Sequence, residues 1–209
     1  MKSFLIANPK GGSGKTTLAT NLAGYFARSG HTTMLGDTDR QQSARDWLSI
    51  RSELLPPIHS WEVEKGQPAR PPQATTHVVL DSAAGVHGKT LEWMLKQVNA
   101  VIVPVQPSLF DILATRHFLE ALLEEKAVRK GRLAVAVIGM RVDPRTRAAG
   151  ELERFLDSYE LPVLACLRDT QIYVQLAAAG MTLFDVSGSR AEKDIAQWQP
   201  IIDWVDRQE

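Results

Sequence analysis

The chain has 209 residues, 44% of them apolar and 23% charged, enough for one sizeable α/β core and too few for two ordinary domains. Its 24 basic side chains match 24 acidic ones, which excludes a uniformly cationic nucleic-acid binder but not one local basic face. A single cysteine, Cys166, excludes an internal disulfide and any paired-cysteine metal or redox centre; a buried structural place is expected for it.

A short apolar strand, Ser3–Ala7, opens the chain without signal-peptide architecture and runs into Lys10–Thr17, K-G-G-S-G-K-T-T, followed by a helix over Lys15–Ser29. Small residues between a strand and a helix let backbone N–H groups crowd an anion, and the helix N-terminus adds partial positive charge. In such a loop Lys15 reaches the β- and γ-phosphates of a nucleotide, and the Thr16 hydroxyl takes one position on Mg²⁺. Gly11, Gly12, Ser13, Gly14 and Thr17 supply the rest of the cradle. The general pattern G-x-x-x-x-G-K-[ST] asks for glycine where Pro9 stands; a second lysine, Lys10, comes one residue later.

The next strand, Thr33–Gly36, ends in Asp37-Thr38-Asp39. In extended backbone the i, i+2 spacing puts both carboxylates on one side, able to face a γ-phosphate; an Asx-type turn closing the strand fits the same residues. A helix over Ser43–Leu54 follows. Prolines at 56, 57, 68, 71 and 72 then flank a short strand, His59–Val63, and mark Leu55–Thr76 as a surface connector or, alternatively, a Pro-rich partner ligand. His77-Val78-Val79-Leu80-Asp81 is an apolar run closed by a carboxylate, with its strand over Val78–Asp81, and it places Asp81 to meet Mg²⁺ beside Thr16. The small turn Ser82–Gly85 after it can move when a γ-phosphate leaves.

Further along, helices are expected at Thr90–Gln97, Ile112–Arg129, Thr146–Ser158 and Ile172–Ala179, and strands at Ala100–Val105, Leu133–Met140 and Pro162–Ala165. Pro104 and Pro107 punctuate the exit from one strand, and Asp143-Pro144 reads as a helix-start signal after another. Near the end, Ile195, Trp198, Ile202 and Val205 make an apolar stripe interrupted by Pro200. Strands interleaved with helices imply an α/β fold, with a mainly parallel central sheet flanked by helices on both faces and its ligands at the carboxyl ends of the strands.

Several stretches together resemble the deviant Walker A ATPases of the ParA/MinD superfamily, over Met1 to about Phe184. They are Lys10–Thr17, the D-x-D-x-Q-x-S-A-x-x-W run of Asp37–Trp47, Asp81 at its strand end, and P-x-x-P-S-x-x-D over Pro104–Asp111. Arg40 stands where relatives have proline, and Ser82–Gly85 lacks their prolines or threonine. The resemblance implies a three-layer P-loop NTPase fold in one domain spanning 1–209, binding ATP with Mg²⁺. It implies a catalytic set of Lys10, Lys15, Asp37 and Asp39, with Asp39 orienting the attacking water, and a metal set of Thr16, Asp81 and Asp37. Arg141, Asp143 and Pro144 fall where relatives build the adenine pocket, and Pro104–Asp111 falls at their dimer face. Lys10, by resemblance, crosses to the nucleotide of a partner subunit and makes a homodimer depend on ATP; a solvated or locally paired lysine is the alternative.

Absence of cysteine pairs sets the chain apart from iron–sulfur relatives. The acidic Asp194, Asp203, Asp206 and Glu209 around the C-terminal stripe favour a helix docked on the sheet over a membrane anchor. What the resemblance then implies is a small ParA-type switch without an N-terminal helix-turn-helix. Such a protein is cytoplasmic, sits on the nucleoid when ATP-bound, and positions plasmid, chromosome or protein cargo through non-specific DNA binding and a stimulating partner protein. Arg116, Lys126, Arg129, Lys130, Arg132, Arg190 and Lys193 are the candidate DNA contacts. Two rivals stand beside it: a P-loop kinase or ligase, for which no Arg-rich lid is evident, and a nucleotide-reporting module with negligible turnover.

Overall fold

Residues 1–39, 41–61 and 71–208 are described by the computed structural model. The apolar runs form strands β1 (Lys2–Ile6), β2 (Thr33–Asp37), β3 (Ile58–Trp61), β4 (His77–Asp81), β5 (Ala100–Val105), β6 (Ala134–Gly139) and β7 (Val163–Cys166). They lie side by side in the order β3-β2-β4-β1-β5-β6-β7, and every pairing is parallel. The five inner strands are buried almost throughout, as a sheet covered on both faces requires, whereas the edge strands β3 and β7 carry exposed residues. Register sets the functional end: Ile6 and Asp37 both pair with Asp81, so β1, β2 and β4 finish level.

Alternation along the strands divides the core. Leu5, Val78 and Leu80 face helices α3 (Gly88–Leu95), α4 (Leu109–Glu124) and α6 (Arg147–Asp157). Phe4, Ile6 and Val79 face α1 (Lys15–Arg28), α2 (Ser43–Ile50), α7 (Ile172–Ala177) and α8 (Ser189–Asp206). The result is three layers, helix–sheet–helix. A four-residue helix, α5 (Lys126–Arg129), and a 3-10 turn, Leu183–Asp185, complete the described elements.

Several expectations change. The helix expected at Ile112–Arg129 is two helices: it begins earlier, because Ser108 accepts the Asp111 N–H as an N-cap, and it breaks where Glu125 is extended (ψ 131°). α2 stops at Ile50 instead of Leu54; Arg51 turns extended, and its guanidinium goes to the Pro56 and Gly180 carbonyls and to Asp185. Cys166 is exposed, not buried, because β7 is an edge strand, although its sulfur leans over Gly139. The C-terminal helix runs through Pro200 and does dock on the sheet side, but along Ala191, Asp194, Trp198, Ile201 and Val205, leaving Ile195 and Ile202 at the margin. Asp194, one of the acidic residues set around the stripe, is itself wholly buried against Arg168. Arg40, Glu62, Val63, Pro68, Ala69, Arg70 and Glu209 lie outside the described residues, and with them the end of the strand expected at His59–Val63. No described helix is long and apolar enough to cross a membrane.

Candidate functional site

The loop after β1 wraps the N-terminus of α1 with Gly12 and Gly14 in left-handed backbone (φ 75° and 97°), which an L side chain resists. Gly14 has no spare room either: a Cβ there would stand 2.7 Å from the Met140 side chain. Lys15 is buried, and its ammonium donates to the Lys10 carbonyl (2.7 Å), so one of its three donors is committed to the loop itself. Burial lowers the Lys15 pKa, opposed by the charges of Asp81 and Asp39. Gln106, just past β5, donates to the Gly12 carbonyl and steadies the loop from the neighbouring strand.

Asp81 carries the most telling geometry. One carboxylate oxygen accepts the Thr16 hydroxyl (2.6 Å); the other, Oδ1, is buried with no hydrogen-bond partner among the described residues. Burial, with the Asp37 and Asp39 charges, pushes its pKa up to about 7, against the lowering pull of Thr16 and Lys15. An orphaned buried carboxylate oxygen next to a hydroxyl, at the mouth of an anion cradle, fits a hard cation such as Mg²⁺.

The aspartate pair is both of the things its spacing allows. Asp37 is engaged locally: its two oxygens accept the N–H groups of Asp39 and Ala44 (both 2.8 Å), the second capping the first turn of α2 from outside. Asp39 accepts the Gln41 N–H in an Asx turn (3.0 Å) yet also lines the loop cavity. Thr38 between them, absent from the candidate residues, donates its N–H and hydroxyl to the Asp81 carbonyl (3.0 and 3.1 Å) and accepts the Ala83 N–H. Gly85 donates to the Pro9 carbonyl (2.8 Å), so the turn after β4 is latched to the loop entrance.

Around these groups lies a cavity of about 490 Å³ lined by Gly11, Gly12, Gly14, Lys15, Thr16, Thr17, Asp39, Ser82 and Arg141, among others. A second cavity of about 500 Å³ adjoins it through Gly14, Thr17 and Arg141, and continues over Met140, Arg168–Gln171, Tyr173, Val174 and Ala177. Ser13 sits buried beneath the loop with its hydroxyl on the Lys10 carbonyl. Arg141 has left-handed backbone (φ 53°), as does Gln42 (φ 51°); these are the non-glycine residues of that kind among those described, and Arg141 lines the cradle while Gln42 lies between Gln41 and Ser43, which do.

Asp143 and Pro144 are not brought to either cavity. Asp143 is half-buried and paired with Arg145, whose hydrogen bonds hold its carboxyl down at about 2, and Pro144 lines a separate groove along α6. The Lys10 backbone is fixed, but no hydrogen bond or ion pair holds its ammonium among the described residues.

Sequence reasoning missed the second cavity's wall. Arg168 grips the buried Asp194 with two bonds (2.7 and 2.9 Å), its N–H donates to Gln197, and the Tyr173 hydroxyl accepts the Trp198 indole N–H. Burial raises the Tyr173 phenol to about 12, so it stays protonated. Arg168 and Asp194, 26 residues apart, carry no local signal of pairing.

Comparison with known proteins points the same way. A family model described as the CobQ/CobB/MinD/ParA nucleotide binding domain matches residues 4–183. The maintenance of carboxysome distribution protein A of Halothiobacillus neapolitanus is 24% identical over 205 residues, covering 93% of this chain and 93% of that protein. The chromosome-partitioning ATPase Soj of Thermus thermophilus is 28% identical over 192 residues, 76% of this chain and 77% of Soj. Among solved structures, the septum site-determining protein MinD of Pyrococcus horikoshii, complexed with Mg-ADP, has the same fold at a TM-score of 0.75 and 16% identity. That match covers 99% of this chain and 96% of MinD.

Proposed function

We propose that this chain, which belongs to the CobQ/CobB/MinD/ParA nucleotide-binding family, is an ATP-dependent dimerising switch that hydrolyses ATP to ADP and phosphate to position DNA or protein cargo. The observation that carries the reading is the Asp81 carboxylate, one oxygen on Thr16 and the other buried and unpartnered at the edge of the cradle.

In this reading Lys15 and the N–H groups of Gly11–Thr16 bind the β- and γ-phosphates, and the adjoining cavity takes the nucleoside. Thr16 and Asp81 hold Mg²⁺, which offsets phosphate charge when bound. Asp39, lining the cavity, orients the attacking water; a loose transition state needs no strong base. Asp37 works at one remove, holding Asp39 and the start of α2 in place. Arg141 bridges the two cavities, whereas Asp143 and Pro144 contribute by starting α6. Lys10, its ammonium without a partner among the described residues, supplies positive charge to a partner's nucleotide.

The candidate DNA contacts divide between the two faces of the sheet. Arg116, Lys126, Arg129, Lys130 and Arg132 lie on the α4–α5 side, and Arg190 and Lys193 on α8. One protomer does not gather them into a single patch, so a continuous basic surface calls for two copies. A cytoplasmic site of action, on the nucleoid when ATP-bound, and stimulation by a partner protein complete the proposal.

Sedimentation of the protein with ATP, with ADP and without nucleotide tests it. Dimer is expected with ATP alone and is expected to vanish in Lys10→Ala. A monomer under all three conditions, or a dimer indifferent to nucleotide, contradicts it.

A further inference from the structure

Asn8 follows β1 and is 1% exposed. Its amide oxygen accepts the Lys10 N–H (2.8 Å), while its amide nitrogen donates to the Pro104 carbonyl (2.7 Å) and to the Thr115 hydroxyl (2.9 Å). Because the Pro104 carbonyl can only accept, the carboxamide has one possible orientation. Pro104 belongs to β5, and Thr115, itself wholly buried, sits on the inward side of α4. One side chain therefore joins the entrance of the loop to a strand and to a helix 107 residues further on.

The other end of the same residue is held as well. The Lys10 carbonyl accepts from the Lys15 ammonium (2.7 Å) and the Ser13 hydroxyl (3.2 Å). Lys10 thus has its backbone clamped on both sides and its ammonium free of any partner among the described residues. The anion cradle itself is built from Gly11 onward, and Asn8 does not line it.

We propose that Asn8 is a positioning residue for Lys10: its buried carboxamide lets α4, through Thr115, set the direction in which Lys10 leaves its own loop. The proposal rests on the reading that Lys10 serves ATP hydrolysis across a dimer. It separates two lysines five residues apart by what holds them. Lys15 is aimed by the loop and serves binding; Lys10 is aimed by a helix outside the loop and serves turnover. Movement of α4 against β5 changes the Lys10 peptide first, because the hydrogen bonds of Asn8 leave it no alternative partner.

Thr115→Val keeps the shape of the side chain and removes the hydroxyl; Thr115→Ser restores the hydroxyl. Three readouts decide: amide hydrogen exchange at Lys10 in the nucleotide-free protein, ADP affinity, and kcat for ATP. Thr115→Val is expected to speed exchange at Lys10 and lower kcat, each about tenfold, with ADP affinity unchanged, and Thr115→Ser to recover both. In a Lys10→Ala background Thr115→Val should add no further loss of kcat, since both act through one group. Unchanged exchange, or kcat and ADP affinity falling together, overturns the proposal and leaves Asn8 a brace of the loop. If Thr115→Val is silent while Lys10→Ala abolishes turnover, the proposal alone fails. If Lys10→Ala turns over like the wild type, the hydrolytic reading of Lys10 fails first and takes the proposal with it.

Discussion

Asp81 bears the electrostatic cost of the cradle, and that cost is measurable through pH. Its carboxyl is raised from the usual 3.8 to about 7, chiefly by burial. Between those values the folded protein keeps a proton the unfolded chain has released, so stability falls as pH rises through that window and levels off above it. Asp81→Asn removes this contribution. The variant's melting temperature should therefore gain on the wild type from pH 4 to 7, and a gap that stays constant with pH contradicts the assignment. Lys15→Ala should weaken ADP binding by roughly 10- to 150-fold, the worth of a charge-assisted hydrogen bond, as read by fluorescence titration. Lys15 and Thr16 were read from a short spacing between a strand and a helix and Asp81 from an apolar run closed by a carboxylate, and the structure brings Thr16 and Asp81 together. The division of labour between Asp37 and Asp39 was not legible in the sequence, because it depends on which N–H groups the start of α2 leaves unsatisfied.

At the scale of elements, two close contacts join the helices that surround the site. Gly24 on α1 packs against the residue before the 3-10 turn so tightly that a Cβ would stand 2.5 Å from the Thr182 methyl group. Gly24→Ala should cost about 1–3 kcal/mol in urea unfolding through overpacking. Arg51, at the end of α2, forms a buried pair with Asp185 (2.8 Å) while also binding two backbone carbonyls. Arg51→Ala leaves Asp185 buried and without its cation and should cost about 3–5 kcal/mol in the same measurement. The helix positions were readable from apolar periodicity, but such contacts were not. Glycine in a helix and arginine at its end look ordinary until the chain returns more than a hundred residues later. α8 teaches the same point: its stripe was visible, yet the register that buries Asp194 follows only from the presence of Arg168.

For the whole molecule, alternation of strands and helices was enough to read the class of fold, and the order of strands in the sheet decided what could not be read locally. Cys166 is exposed because β7 ends the sheet, and the second cavity, to which the proposal gives the nucleoside, exists because the chain after β7 closes over Gly14 and Arg141. In the proposed function these features serve one arrangement, a cradle in which Thr16 and Asp81 would hold the cation. Calorimetric titration of ADP into the protein, with and without Mg²⁺, tests it most directly. Binding is expected in both cases, tighter with Mg²⁺ in the wild type and indifferent to Mg²⁺ in Asp81→Asn. No heat of binding, or an equal Mg²⁺ effect in the two proteins, would contradict the account.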